Sequence, residues 1–178
     1  MAPARGEIAH RSQSDADDER WARCGCGMAC LQMILGARGE DVPGLAELGR
    51  AAQGYGAYAA ELQRVGYGPL IYAGFVEFVA AEHGLAARVA APLTADELID
   101  AVSGDEVVLA SVSAEIRDLP LVPSRRGGHL VLVLDASTDG TRICFQDPSG
   151  ERAAVWLERG AFERYYAGRG IAVTLPRA

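Results

Sequence analysis

The apolar positions change period along the chain, and the change falls near residue 105. Before it, apolar residues cluster in stretches closed by glycine. Met28 to Leu35 is apolar or small on nearly every side apart from Gln32 and is followed by Gly36 and Gly39. This pattern predicts a buried helix over about 26–36. Further helices are expected over Leu45–Gln53 and over Phe75–His83, the latter stopped by Gly84. Thr94-Ala95-Asp96-Glu97 is a capping-box pattern that opens a helix to about Val102, ended by Gly104. A short strand, Ala87–Ala90, lies between the last two. After residue 105 the runs become β-branched or continuously apolar. They are Glu106–Ala114, His129–Ala136, Arg142–Asp147, Ala153–Leu157 and Ile171–Leu175, with a short helix near Ala161–Tyr166. Helices first and an antiparallel sheet afterwards predict an α+β architecture.

Two stretches escape this scheme. Residues 1–20 are polar and acidic and read as an extended arm, with 1–12 outside and 13–178 forming one domain. From Gly54 to Gly74, Tyr55, Tyr58, Tyr67 and Tyr72 alternate with glycines, with a short helix expected around Ala59–Val65. Tyrosine gives rigid amphipathic contact area and glycine lets a backbone approach. Tyr55, Tyr58 and Tyr67 are therefore candidate substrate-binding residues on the rim of a groove.

At 178 residues the chain can bury a core without staples. A formal charge of −7 and a pI near 5.0 argue against nucleic acid and anionic membrane surfaces as partners. No apolar run approaches the roughly 18 residues of a membrane helix. The polar start has no signal-peptide core. A cytoplasmic location follows as an expectation, and with it free thiols rather than disulfides. All 17 basic residues are arginine, so no lysine is present for a Schiff base or a P-loop. The chain also lacks asparagine.

Candidate chemistry centres on Cys26, at the first turn of the apolar helix. Free N–H groups and the positive end of the helix dipole favour a thiolate there. The same stretch also suits a small core cysteine. Of the three histidines, His10 lies in the arm and His83 at a helix C-terminus. Only His129 opens an apolar strand, which makes it the candidate base. The turn Thr138-Asp139-Gly140 suits a three-residue hairpin loop pairing Ser137 with Thr141. That register sets Val131 opposite Asp147 and makes His129 and Asp147 diagonal neighbours on one face. Gln13 is the candidate side-chain donor to an oxyanion. Cys24, Cys26, Cys30 and Cys144 could alternatively be read as metal ligands, but the C-x-C-x₃-C spacing fits no common zinc pattern, and neither metal nor cofactor is expected.

Three blocks in order resemble the bacteriocin-processing, double-glycine-leader cysteine peptidases and their stand-alone, papain-like relatives. They are Cys26-Gly27-Met28-Ala29-Cys30-Leu31-Gln32-Met33-Ile34, Gly128-His129-Leu130-Val131-Leu132-Val133 and Gln146-Asp147-Pro148-Ser149-Gly150. Only from Cys26, not from Cys24, do the following Gly, Ala, Leu and Met fall at the family's spacing. The resemblance implies a papain-like fold, a buried nucleophile helix packed on a C-terminal antiparallel sheet. It also implies a Cys26–His129–Asp147 triad, with Gln13 at the oxyanion. The expected activity is hydrolysis of a peptide bond through a thioester, with a peptide or acyl substrate. The same triad would serve an acyltransferase or cyclase, and a degenerate member would only bind peptide.

Overall fold

Helix α2 (Cys26–Ala37) is buried without interruption from Gly27 to Leu35, as an all-round apolar sequence requires. In this computed structural model, which describes residues 5–59, 68–119, 121–150 and 153–176, every other element is arranged about α2 or the sheet it rests on. The one polar side chain inside α2, Gln32, donates to the Pro43 carbonyl at 2.8 Å, so its buried amide nitrogen has a partner. Helix α1 (Glu19–Cys24) precedes α2, its first turn capped by the Asp18 carboxylate, which accepts from the Arg20 N–H. Helix α3 is Leu45–Gln53, and α4 is Tyr72–His83. Gly84 ends α4 in the left-handed conformation at φ 59°. Helix α5 (Ala95–Ser103) carries the expected capping box between Thr94 and Glu97.

Six strands make one sheet: β1 (Ala87–Ala90), β2 (Glu106–Val112), β3 (His129–Ala136), β4 (Arg142–Gln146), β5 (Val155–Glu158) and β6 (Tyr166–Thr174). Their order is β1-β6-β2-β3-β4-β5, and every neighbouring pair is antiparallel. The central strands are buried on both faces. Val107, Leu109, Leu132, Leu134, Ile171 and Val173 pack with α2, α3 and α4. Val108, Ala110, Val131, Val133 and Ala172 pack with α5 and with Phe162 of the short helix α6 (Arg159–Glu163). Two-sided burial explains why these strands read as continuous apolar runs rather than alternations. The architecture is α+β, a buried helix packed on an antiparallel sheet, as the sequence predicts.

Two expectations need correction. The polar start is not an extended arm: Arg5 and Ile8 are buried, and Gln13 lies in a short 3₁₀ turn (Gln13–Asp15). Arg5 escapes a composition-based reading because it donates to main-chain carbonyls at the far end of the sheet. Its Nη1 reaches the Val102 carbonyl at 2.7 Å and its Nη2 the Leu175 carbonyl at 2.6 Å. The β3–β4 hairpin also has a different loop. Ser137 pairs with Arg142 across four residues, Thr138 to Thr141. A bulge between Val133 and Asp135 then absorbs the extra residue, so that Leu132 faces Gln146. The two departures cancel, and continuing the register by one step sets Val131 opposite Asp147. The helix expected around Ala59–Val65 lies outside the described residues.

Candidate active site

Cys26 is the first residue of α2, and Gly25 before it is forced by packing. A Cβ at Gly25 would lie 2.4 Å from the Trp21 carbonyl oxygen and 2.5 Å from Leu45 Cδ2. A Cβ at Gly27 would lie 2.8 Å from Leu70 Cδ2. The two glycines around Cys26 thus let α1, α3 and Leu70 close in without covering the thiol, which stays half-buried.

His129, at the start of β3, is buried, and its Nε2 hydrogen-bonds the Asp147 carboxylate at 2.7 Å. That leaves the other ring nitrogen, Nδ1, for the cleft that His129 shares with Cys26. Burial would push the Cys26 thiol up, but the hydrogen bond and charge of His129 outweigh it and hold the thiol below its ordinary value. Burial likewise opposes the imidazolium, yet Asp147 and Cys26 raise His129 to about 9. Asp147 is held at about 2: burial works against its charge, and His129 and Ser149 restore it. Ser149 Oγ donates to Asp147 Oδ1 at 2.7 Å, and the Ser149 N–H donates to the same oxygen at 2.8 Å. Each shift runs in the direction that favours a charged Cys26 and a charged His129, with the Asp147 carboxylate fixing one face of the imidazole.

Gln13 lines the same cleft as Cys26 and His129. One N–H of its amide donates to the Ala22 carbonyl at 2.7 Å. The amide nitrogen has a second N–H that this bond does not use. The cleft measures about 690 Å³, and Gly68, Pro69, Leu70 and Tyr72 contribute one wall.

The structure therefore brings Cys26, His129, Asp147 and Gln13 together, but not Tyr55 or Tyr58, two of the tyrosines read as substrate-binding. Tyr58 is in the core, edge-on to Trp21 with ring centroids 5.1 Å apart, and its hydroxyl donates to the Cys24 carbonyl at 3.3 Å. Tyr55 packs on Phe78, and its hydroxyl donates to Glu82. Tyr67 lies outside the described residues. The wall is formed instead by the end of the same segment, from Gly68 to Tyr72. Two supporting residues were missed from sequence. His10 donates from Nε2 to the Asp147 carbonyl at 2.8 Å. Ser149 had a readable signal, since Asp-Pro-Ser-Gly is turn chemistry in which an Asp side chain accepts from the backbone two residues on.

The other thiols are differently placed. Cys24 donates to the Arg20 carbonyl at 3.2 Å, and burial pushes it up to about 11. Cys30 is in the core and is raised further by burial. Among the described residues no group of three or more His, Cys, Asp and Glu side chains is placed to hold a metal ion.

No family model matches the sequence, and no curated protein matches it. Solved structures do. A protein of Bacillus anthracis described as a C39-like peptidase superposes with a TM-score of 0.67 at 13% identity, over 100% of both chains. The fold is that of a C39-like peptidase. The peptidase domain of Streptococcus ComA, a bifunctional ABC transporter of a quorum-sensing pathway, aligns with a TM-score of 0.58 at 15% identity. That match covers 85% of this chain and 91% of the other. A double-glycine-motif protease from an AMS/PCAT transporter, solved with its leader peptide, gives 0.60 at 17% identity over 98% and 95% of the two chains. The C39-like fold thus accounts for the chain from its first described turn to β6.

Proposed function

We propose that this chain is a cysteine peptidase that cleaves a peptide bond through an acyl-thioester on Cys26. The observation that carries the proposal is that Cys26 and His129 line one open cleft, with the imidazole Nε2 2.7 Å from the Asp147 carboxylate. The Cys26 thiolate attacks the carbonyl carbon, and the carbonyl oxygen takes up the charge. The Cys26 N–H and the Gln13 amide face that oxygen, where losing one donor costs about 100–1,000-fold in rate. As the C–N bond breaks, the His129 imidazolium gives its proton to the leaving amine. Water then attacks the thioester, His129 takes a proton from it, and the thiolate leaves.

The fold supports the reading as well, because the solved structures that share it include peptidases. The substrate in this proposal is a peptide. Among the described residues no helix is long and apolar enough to cross a membrane.

The test is a peptide library incubated with purified protein and read by mass spectrometry. Cleavage is expected, with an acyl adduct on the Cys26 tryptic peptide after acid quenching. Cys26→Ala should abolish both. Cleavage that survives in Cys26→Ala would overturn the assignment.

A further inference from the structure

The charge of the cleft is opposite to that of the chain. The protein carries −7 overall, yet Arg23, Arg117, Arg125 and Arg169 line the cleft, and among the described residues no Asp or Glu does. Nearby carboxylates are already engaged. Glu19 pairs with Arg23. Glu115 accepts from Ser113 and Ser124, which hold it at about 2.

Arg125 and Arg169 have a more specific placement. They lie over the two glycines that lead into His129. A Cβ on Gly128 would be 2.7 Å from Arg125 Nη2, and one on Gly127 would be 2.9 Å from Arg169 Nη2. Both glycines have positive φ, 98° and 87°, so side chains are excluded there by conformation as well as by space. Glycine at both positions is what lets two guanidinium groups settle on adjacent residues. Among the described residues neither guanidinium has a hydrogen bond or an ion pair. Two positive charges are thereby brought to adjacent residues beside His129, where an anion is favoured. A guanidinium presents a planar fork of donors that matches a carboxylate.

We infer that Arg125 and Arg169 form a carboxylate subsite on the leaving-group side of the cleaved bond. The side follows from His129: it protonates the leaving amine, and these arginines sit on the two residues before it. The inference rests on the peptidase reading for its substrate. The carboxylate could come from an acidic side chain just after the cleaved bond or from the free C-terminus of a short leaving segment.

Two experiments separate the subsite from the reaction. The first needs no peptide substrate. Cys26 is alkylated with iodoacetate, which carries a carboxylate, and with iodoacetamide, its neutral counterpart. In each case the thiolate forms the C–S bond and iodide leaves. The ratio of the two rates should fall roughly tenfold in R125Q/R169Q relative to the native protein. It should be partly restored in R125K/R169K and should shrink with salt. His129 is present in every variant, so its own pull on the anion cancels from the comparison. Both arginines are exposed, and circular dichroism confirms that the variants are folded. The second experiment compares peptides sharing one acyl part, followed by Glu with an amidated end, by Ala with a free carboxylate, or by Ala amidated. The two carboxylate peptides bracket the source, and at least one should exceed the neutral peptide about tenfold in kcat/KM, with the preference lost in R125Q/R169Q. An unchanged alkylation ratio in R125Q/R169Q, or equal cleavage of all three peptides, would overturn the subsite. An arginine-dependent ratio with no peptide cleaved would uphold the subsite and overturn peptide hydrolysis.

Discussion

Cys24 and Cys26 are two residues apart and both precede glycine, yet their surroundings set their thiols on opposite sides of the ordinary value. Cys24 donates an S–H hydrogen bond to the Arg20 carbonyl, and burial pushes its thiol up to about 11. Cys26 faces His129 and is lowered. Near neutral pH, Cys26 should therefore be alkylated at least tenfold faster than Cys24, with Cys30 slower still. Peptide mapping after a brief iodoacetamide pulse checks this, and equal labelling of Cys24 and Cys26 would remove Cys26 from its role. The same geometry sets a pH dependence. The leaving amine needs the His129 proton, so turnover should fall as pH rises through about 9. Asp147 is part of what raises His129, so Asp147→Ala should move that alkaline limb downward as well as lower turnover, though less than His129→Ala does. A pH–rate profile whose alkaline limb stays in place would mean that Asp147 does not act through the imidazole. Asp147 also makes stability depend on pH. The carboxylate is depressed to about 2, so its stabilising contribution is complete above its ordinary value of about 3.9 and is lost as pH falls through about 2. Cys26 and His129 were legible in the sequence because each is a scarce residue type at a structural boundary, a helix start and a strand start, and Asp147 because a proline ends its strand directly after it. His10, Arg125 and Arg169 were not, because nothing local distinguishes an arginine over a glycine pair from one in solvent.

Among the elements, the β3–β4 hairpin shows how a correct register can follow from an incorrect turn. Loop chemistry at Thr138-Asp139-Gly140 suggested three residues, and the actual loop has four, with Asp139 accepting from Ser137 and Thr141 inside it. Only the bulge between Val133 and Asp135 returns His129 and Asp147 to a common side. An apolar Val-Leu-Asp run carries no mark of a bulge, so that compensation could not be read. Helix α3, strand β1 and the α5 capping box were legible because their boundaries are set by neighbouring residues alone. Tyr55 and Tyr58 were misplaced for a different reason: amphipathic composition says that a ring will be half-wet or packed, not which way it points. Tyr58 packs on Trp21, whose ring in turn occupies the space a Cβ at Gly49 would need, 2.4 Å from Cζ3. Tyr58→Ala should cost about 3–5 kcal/mol, in the range of large aromatic truncations in cores. It should slow all peptides alike while lowering Tm. A change in preference between peptides at unchanged Tm would instead return Tyr58 to the cleft.

At the scale of the whole molecule, the first described residues tie the sheet's edge to the site. Gln146 donates from Nε2 to the Ile8 carbonyl at 2.6 Å, His10 reaches the Asp147 carbonyl, and the Gln13 N–H donates to the Pro148 carbonyl at 2.8 Å. The chain start thus runs along the end of β4 and holds the strand end that presents Asp147. Upstream, Arg5 anchors this run by bridging the end of α5 at Val102 and the end of β6 at Leu175. Each of these bonds has a charged donor and a buried acceptor, a class worth about 1.5–3 kcal/mol apiece. Arg5→Ala should therefore lose roughly 3 kcal/mol or more, a fall in Tm of about 6–12 °C for a chain of this size. Arg5→Lys keeps the charge but not the fork and should recover part of the loss. Because Arg5 does not line the cleft, the Cys26 alkylation rate well below Tm should stay near that of the native protein. Melting within about 1 °C of native would show that the anchor is dispensable. A large fall in Cys26 reactivity at temperatures where Arg5→Ala remains folded would show instead that the chain start positions the site directly, through His10 and Gln13.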